Sequence, residues 1–261
     1  MAEQGGAAMV DKSQQGDLKV SHAMVLAAGL GTRMRPLTLL KPKPLVEVGG
    51  STLLDHAVDG LVTAGVSHVA INVHYLAQQI EDHVASRGDI TVSISDERAE
   101  LLDSGGGVKQ AVEDFPDHPC FILNADSFWC DGKQQSLPAM AGMWDDQAMD
   151  MVLLLARHED AVGFDGKGDF HMADGGQLTR RGDADSAEFV YAGAILARPA
   201  LFASEPAKVF SLNKLFDAAI AEGRLFGCVL DGLWLHVGTP EAIGESEAAM
   251  TEFGSLPAPI A

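Results

Sequence analysis

Leu26-Ala27-Ala28-Gly29-Leu30-Gly31-Thr32-Arg33-Met34-Arg35-Pro36-Leu37-Thr38, with Lys41-Pro42-Lys43-Pro44-Leu45 close behind, is the stretch on which the reading of this sequence turns. It continues the apolar run His22 to Ala28, which reads as a buried first strand. Small residues at a strand exit let the backbone turn sharply and come close to a ligand, and glycine allows both. Successive N–H groups in such a turn point into one concavity and can surround phosphate oxygens. Gly-x-Gly alone carries little weight. The third glycine of a dinucleotide fingerprint and the Gly-Lys-Ser/Thr ending of a P-loop are both missing, which disfavours a Rossmann dehydrogenase and a P-loop kinase. The continuation adds the weight: Arg33, Arg35, Lys41 and Lys43 gather four cations within eleven positions, and the prolines flanking Lys43 restrict its backbone. By itself such a run is a solvated basic loop. After a strand and a glycine turn, in an acidic chain, it reads as an anion site.

That chain has 261 residues, 47% of them hydrophobic, and a formal charge of −19. The length suits one α/β domain with a full core, expected over residues 21–253. The acidic balance excludes nucleic acid as a partner, because no basic stripe is available to displace counterions. Cys120, Cys130 and Cys228 are odd in number, lack metal-ligand spacing and suit reduced core thiols, so a cytoplasmic protein is expected. Residues 1–20 read as a disordered leader and residues 254–261 as a flexible tail. No stretch approaches a membrane span, so no membrane partner is expected.

Outward from the first strand, apolar runs alternate with amphipathic stretches in the manner of βα units. The pattern predicts helices over Leu53 to Ala64, Leu76 to Ala85, Val108 to Glu113, Leu137 to Asp146, Asn213 to Glu222 and Pro240 to Met250. It predicts strands over His68 to Asn72, Ile90 to Ser95, Cys120 to Asn124, Met151 to Ala156 and Val190 to Ala197, and paired strands at Leu225 to Leu230 and Trp234 to Val237 with a hairpin turn at Asp231-Gly232. Gly105-Gly106-Gly107 reads as a loop before its helix. The Gly- and Asp-rich segment His158 to Asp185 suggests hairpins inserted over one face, a common way to build a substrate pocket. The fold class is therefore α/β: a Rossmann-like, mostly parallel sheet with helices on both faces and small inserted hairpins.

The motif Leu26-Ala27-Ala28-Gly29-x-Gly31-Thr32-Arg33-x-Arg35-Pro36-Leu37-Thr38 with Pro42-Lys43-Pro44-Leu45 resembles the signature of the sugar-1-phosphate nucleotidyltransferases, and the resemblance runs from Ser21 to Met250. It implies a GT-A-like nucleotidyltransferase fold and an enzyme that condenses a nucleoside triphosphate with a sugar 1-phosphate, releasing pyrophosphate. The residues matching the family's glycine loop, Leu26, Ala27, Ala28, Gly29, Gly31, Thr32 and Arg33, would bind the triphosphate. Arg33 would meet the departing pyrophosphate and Lys43 the phosphate at the reacting end. Leu102-Asp103-Ser104 with Gly105 and Gly106 resembles the segment beside nucleobase and ribose.

Asp126, at the carboxyl edge after Cys120 to Asn124, resembles the family's ligand for magnesium, with manganese as the softer option. The second carboxylate of the family's Trp-x-Asp-Val-Gly-Thr segment is replaced here, in Trp234-Leu235-His236-Val237-Gly238-Thr239, by His236. Imidazole is a poor ligand for magnesium, so His236 is either a weak or water-mediated metal contact or a pocket residue with no metal role. Asp169, Glu188 and Gly193 fall where the family gathers sugar contacts. Compact length and the segments around Tyr191-Ala192-Gly193 and Asn213-Lys214-Leu215 look most like N-acetylmuramate-1-phosphate uridylyltransferases, which take UTP. The alternatives are mannose- or heptose-1-phosphate guanylyltransferases, a CTP-dependent enzyme for a non-sugar phosphate, or an impaired nucleotide-binding homologue. A monomer or small homo-oligomer is expected.

Overall fold

The computed structural model describes residues 18–256. Its first half runs β1 (His22–Leu26), β2 (Glu47–Val48), β3 (Ser51–Thr52), α1 (Leu53–Thr63), β4 (His68–Val73), α2 (Ala77–Val84), β5 (Thr91–Asp96), α3 (Asp103–Ala111), β6 (Cys120–Asn124) and β7 (Ser127–Asp131). The second half runs α4 (Ser136–Met143), β8 (Met151–Arg157), β9 (Phe170–Met172), β10 (Leu178–Arg180), β11 (Phe189–Ala197), α5 (Pro199–Ala203), α6 (Leu212–Ala221), β12 (Leu225–Val229), β13 (Gly232–His236) and α7 (Glu241–Phe253).

β1 is an interior strand, and its middle residues Ala23, Met24 and Val25 are fully buried, as in a strand covered on both faces. It pairs in parallel with β4 and β6, and β4 pairs in parallel with β5. β11 then runs antiparallel to β6 and to β8, β12 is parallel to β8, and the β9–β10 hairpin extends the edge. Helices α1, α2 and α4 cover one face of this nine-stranded sheet, and α3, α5 and α6 cover the other. The α/β class with helices on both faces is thus observed. Helix starts follow local chemistry: the Thr52 hydroxyl accepts the Asp55 N–H, and Gly65, at φ 84°, follows the end of α1 in the left-handed conformation.

Four expectations are corrected. Leu225 to Leu230 and Trp234 to Val237 do not pair with each other: β12 joins the main sheet, while β13 pairs with β7 in a separate two-stranded sheet. The Asp231-Gly232 step is no hairpin turn, since Asp231 Oδ2 accepts the N–H groups of Lys133 and Gln134 beyond β7. Gly105 to Gly107 sit inside α3, because the segment packs too closely for side chains. The segment before β11 contributes a single hairpin, β9–β10, at the sheet edge. Of the ends expected to stay unpacked, residues 1–17 and 257–261 lie outside the described residues, whereas Val20 and Leu256 pack on core clusters. Among the described residues no helix is long and apolar enough to cross a membrane.

Candidate active site

The parallel strands β1, β4 and β6 all release their chains at one edge, where open α/β sheets place ligands. A cavity of about 320 Å³ lies there, lined by Leu26 to Gly29, Lys43, Asn72, Glu97, the α3 start at Asp103 and Ser104, and Asn124 to Asp126.

β1 ends at Leu26, two residues earlier than expected, because the Ala27 N–H leaves the strand ladder and donates to Asn72 Oδ1 at 2.6 Å. Among the described residues the N–H groups of Ala28, Gly29 and Leu30 have no protein acceptor, so they remain available to an anion. Gly31, at φ 61°, needs glycine twice over: the angle is left-handed, and a Cβ would stand 3.0 Å from Lys43 Cβ and 3.1 Å from Thr38 Cγ2. Buried Thr38 closes the loop by donating to the Gly31 carbonyl at 2.7 Å.

Lys43 stands between buried Pro42 and Pro44 at the start of a short 3-10 turn closed by the Val46 N–H on the Lys43 carbonyl. Its Nζ lies 3.2 Å from Asp126 Oδ2. Burial holds the Lys43 ammonium below the ordinary lysine range; Asp126 pulls the other way and Arg33 adds to the lowering. Arg33 has no carboxylate partner among the described residues. In a chain of charge −19, a guanidinium with no carboxylate partner among the described residues, near an ammonium paired with Asp126, is suited to an anion.

Asp126 follows β6, and β7 begins at the next residue. β13 pairs with β7 so that His236 faces Ser127, and the Val237 N–H donates to the Asp126 carbonyl at 3.1 Å. This pairing, not proximity in sequence, brings His236 to Asp126. A Cβ on Gly238 would stand 2.8 Å from His236 Nε2 and 3.2 Å from Arg33 Nη1, so the imidazole and the guanidinium converge on one point. Burial lowers the His236 pKa, opposed by Asp126 and reinforced by Lys43 and Arg33, which favours the neutral ring. Among the described residues no group of three His, Cys, Asp or Glu side chains forms a metal cage. Magnesium does not need one: a single carboxylate with substrate phosphates and waters is an ordinary site, and Asp126 Oδ1 meets no donor among the described residues.

On the sugar side, Gly193 stands at φ 90° in an irregularity of β11, and a Cβ there would meet Ser127 Oγ at 2.4 Å. It lets β11 lie close to the Asn124 to Asp126 wall. Asp169 Oδ2 accepts the Tyr191 N–H at 2.9 Å and so shapes the same strand. Glu188 is exposed, pairs with Arg157 at 3.2 Å and does not line the cavity.

Gly105 and Gly106 do not line it either; their N–H groups donate to the Phe210 carbonyl, while Asp103 and Ser104 take the wall position. A Cβ on Gly105 would stand 2.3 Å from Phe210 Cε2. Gly105→Ala is therefore expected to destabilise the fold by about 1–3 kcal/mol through overpacking, read by denaturant melts. An unchanged midpoint would mean that Phe210 moves aside freely.

Asn72 and Glu97 were missed by the sequence reading. The one signal was positional, since Asn72 ends an apolar strand at the same edge as Asn124.

The nucleotidyl transferase family profile matches residues 22–164. N-acetylmuramate alpha-1-phosphate uridylyltransferase of Caulobacter vibrioides is 41% identical over 234 residues, covering 88% of this chain and 97% of the relative. The catalytic subunit beta of mannose-1-phosphate guanylyltransferase from Xenopus tropicalis is 30% identical over 84% of this chain, which spans only 61% of that protein. Among solved structures, HddC from Yersinia pseudotuberculosis complexed with GMP-PN has a TM-score of 0.72 at 19% identity, covering 88% of this chain and 100% of the other, a likeness of fold. The chain belongs to the nucleotidyl transferase family, among its sugar-1-phosphate nucleotidyltransferases.

Proposed function

We propose that the chain joins UTP to N-acetylmuramate 1-phosphate, giving UDP-N-acetylmuramate and pyrophosphate. The observation that carries the substrate reading is end-to-end similarity at 41% identity to a uridylyltransferase of that specificity. The guanylyltransferase relative is less identical and has a longer chain. A phosphate oxygen of the sugar 1-phosphate attacks the α-phosphorus in line and pyrophosphate leaves, so no protein nucleophile is needed. The free N–H groups of Ala28 to Leu30 and the Arg33 guanidinium suit the β- and γ-phosphates. Lys43 suits the reacting phosphate, where charge builds up. Asp126 would hold a magnesium ion, which when bound supplies charge neutralisation across the triphosphate. Asp103 and Ser104 flank the nucleoside, and β11 at Gly193, shaped by Asp169, faces the sugar. Such an enzyme serves cell-wall recycling in the cytoplasm.

The test is a grid of nucleoside triphosphates against sugar 1-phosphates, read by pyrophosphate release and by the mass of the product. UTP with N-acetylmuramate 1-phosphate is expected to exceed every other pair. GTP with mannose or heptose 1-phosphate in first place overturns the substrate reading, and no release anywhere assigns the chain to binding without turnover.

His236 separates two readings of the metal site. His236→Asp places a second carboxylate beside Asp126 and is expected to lower the half-saturating magnesium concentration about tenfold, since hard cations prefer oxygen ligands. An unchanged magnesium titration would show that position 236 does not touch the metal.

A further inference from the structure

In the cavity wall three buried hydrogen bonds run in series. The Ala27 N–H donates to Asn72 Oδ1 at 2.6 Å, Asn72 Nδ2 donates to Glu97 Oε1 at 2.6 Å, and the Leu102 N–H donates to Glu97 Oε2 at 3.0 Å. Asn72 and Glu97 are each 2% exposed. Ala27 opens the glycine-rich loop. Leu102 precedes Asp103, which is held in the left-handed region at φ 61° and lines the opposite wall with Ser104. A Cβ on Gly107 would stand 2.7 Å from Glu97 Oε1 and 2.8 Å from Asn72 Nδ2, so the last glycine of the run leaves room for the pair.

We propose that Asn72 and Glu97 are positioning residues for the nucleotide: together they set the separation between the loop that meets the phosphates and the α3 start that meets the nucleoside. Nucleotide recognition then depends on the pair, and sugar phosphate binding does not. The proposal rests on the reading that this cavity takes a nucleoside triphosphate.

The bonds have a single polarity. Both Glu97 oxygens accept, so Asn72 must turn its NH2 toward Glu97 and its carbonyl toward Ala27. Glu97→Gln breaks this order whichever way the new amide turns. Either a donor faces the Leu102 N–H, or Asn72 flips and a donor faces the Ala27 N–H. One of the two walls loses its anchor. The double variant N72D/E97Q mends the order at the same net charge: the new carboxylate accepts from Ala27 and from the new amide, whose carbonyl accepts from Leu102.

Steady-state kinetics of the full chain, with the nucleotide it prefers in the grid, test the proposal. Glu97→Gln is expected to raise KM for the nucleotide about tenfold, the equivalent of one misplaced hydrogen bond, and to leave KM for the sugar 1-phosphate within about twofold. N72D/E97Q is expected to bring the nucleotide KM back to within about threefold of the parent. In the parent protein, amide exchange by NMR should show Ala27 and Leu102 protected together and slowed further by nucleotide. A purely structural pair would lower stability without splitting the two KM values. A folded Glu97→Gln with native nucleotide KM, an equal rise in both KM values, or no recovery in the double variant overturns the proposal. If Glu97→Gln does not fold, the double variant and the parent's amide exchange decide, and independent exchange at Ala27 and Leu102 overturns it. Preference for a nucleotide other than UTP overturns the substrate assignment alone, since the same variants are then measured with that nucleotide.

Discussion

Lys43→Ala is expected to lower kcat by about 10³ while shifting stability by less than about 1 kcal/mol. The first half of that expectation follows from placement. Lys43 is the cation fixed by its backbone, between two buried prolines and against Gly31, with its Nζ on the same carboxylate that would hold the metal. A charge pre-aimed at the reacting phosphate does not have to be reorganised during the reaction, which is where such groups contribute most. The second half follows from burial. Desolvation lowers the Lys43 pKa despite the pull of Asp126, so the folded protein gains little from holding the ammonium there, and its removal leaves Asp126 partly exposed to water. The pH sign is set by the same shift. The working form is protonated, its pKa lies below the ordinary lysine range, and activity is lost as pH rises through that lowered value. The alkaline limb of kcat/KM for the nucleotide should therefore fall below the usual lysine position, and Lys43→Arg should move the limb upward whatever it does to the rate. Normal turnover in a destabilised Lys43→Ala would assign the residue to folding alone.

The glycine-rich loop at the cavity was legible because its signals are local: an apolar strand, glycines at its exit, and cations with prolines within a few residues. The carboxylate edge was legible at Asp126 for the same reason. His236 was flagged by motif, but its route to the site was not visible. β7 is a five-residue segment whose partner β13 lies about a hundred positions later, and nothing local announces a pairing at that distance. Asp231-Gly232 misled for a related reason, because turn residues were serving a long-range clamp on Lys133 and Gln134. The glycine run at 105 to 107 shows the other limit of a sequence reading. Glycine licenses both a loop and a close helix contact, and only the positions of Phe210, Lys208 and the Asn72–Glu97 pair show that close packing is what α3 requires. Glu188 shared its segment with Gly193 but not its surroundings, since the register of β11 places it against Arg157.

Asp126→Asn tests the other pole of the site, and the expected result is a loss of metal-supported turnover by about 10³ with metal-free nucleotide binding retained. The substitution keeps the shape of the side chain and removes its charge. Without that charge the site holds Arg33 and Lys43 unopposed, which favours an anionic triphosphate in the absence of metal. The same change removes the carboxylate that would hold the divalent ion, and His236 beside it is a weak partner for a hard cation. Asp126 also raises the pKa of Lys43 and of His236, so both should fall further once it is gone. The alkaline limit of whatever activity survives should then shift to lower pH. Calorimetric titration with nucleotide, with and without magnesium, separates the two effects. Binding lost in both conditions would mean that Asp126 organises the loop itself. Turnover that keeps its magnesium dependence would move the metal site away from the end of β6.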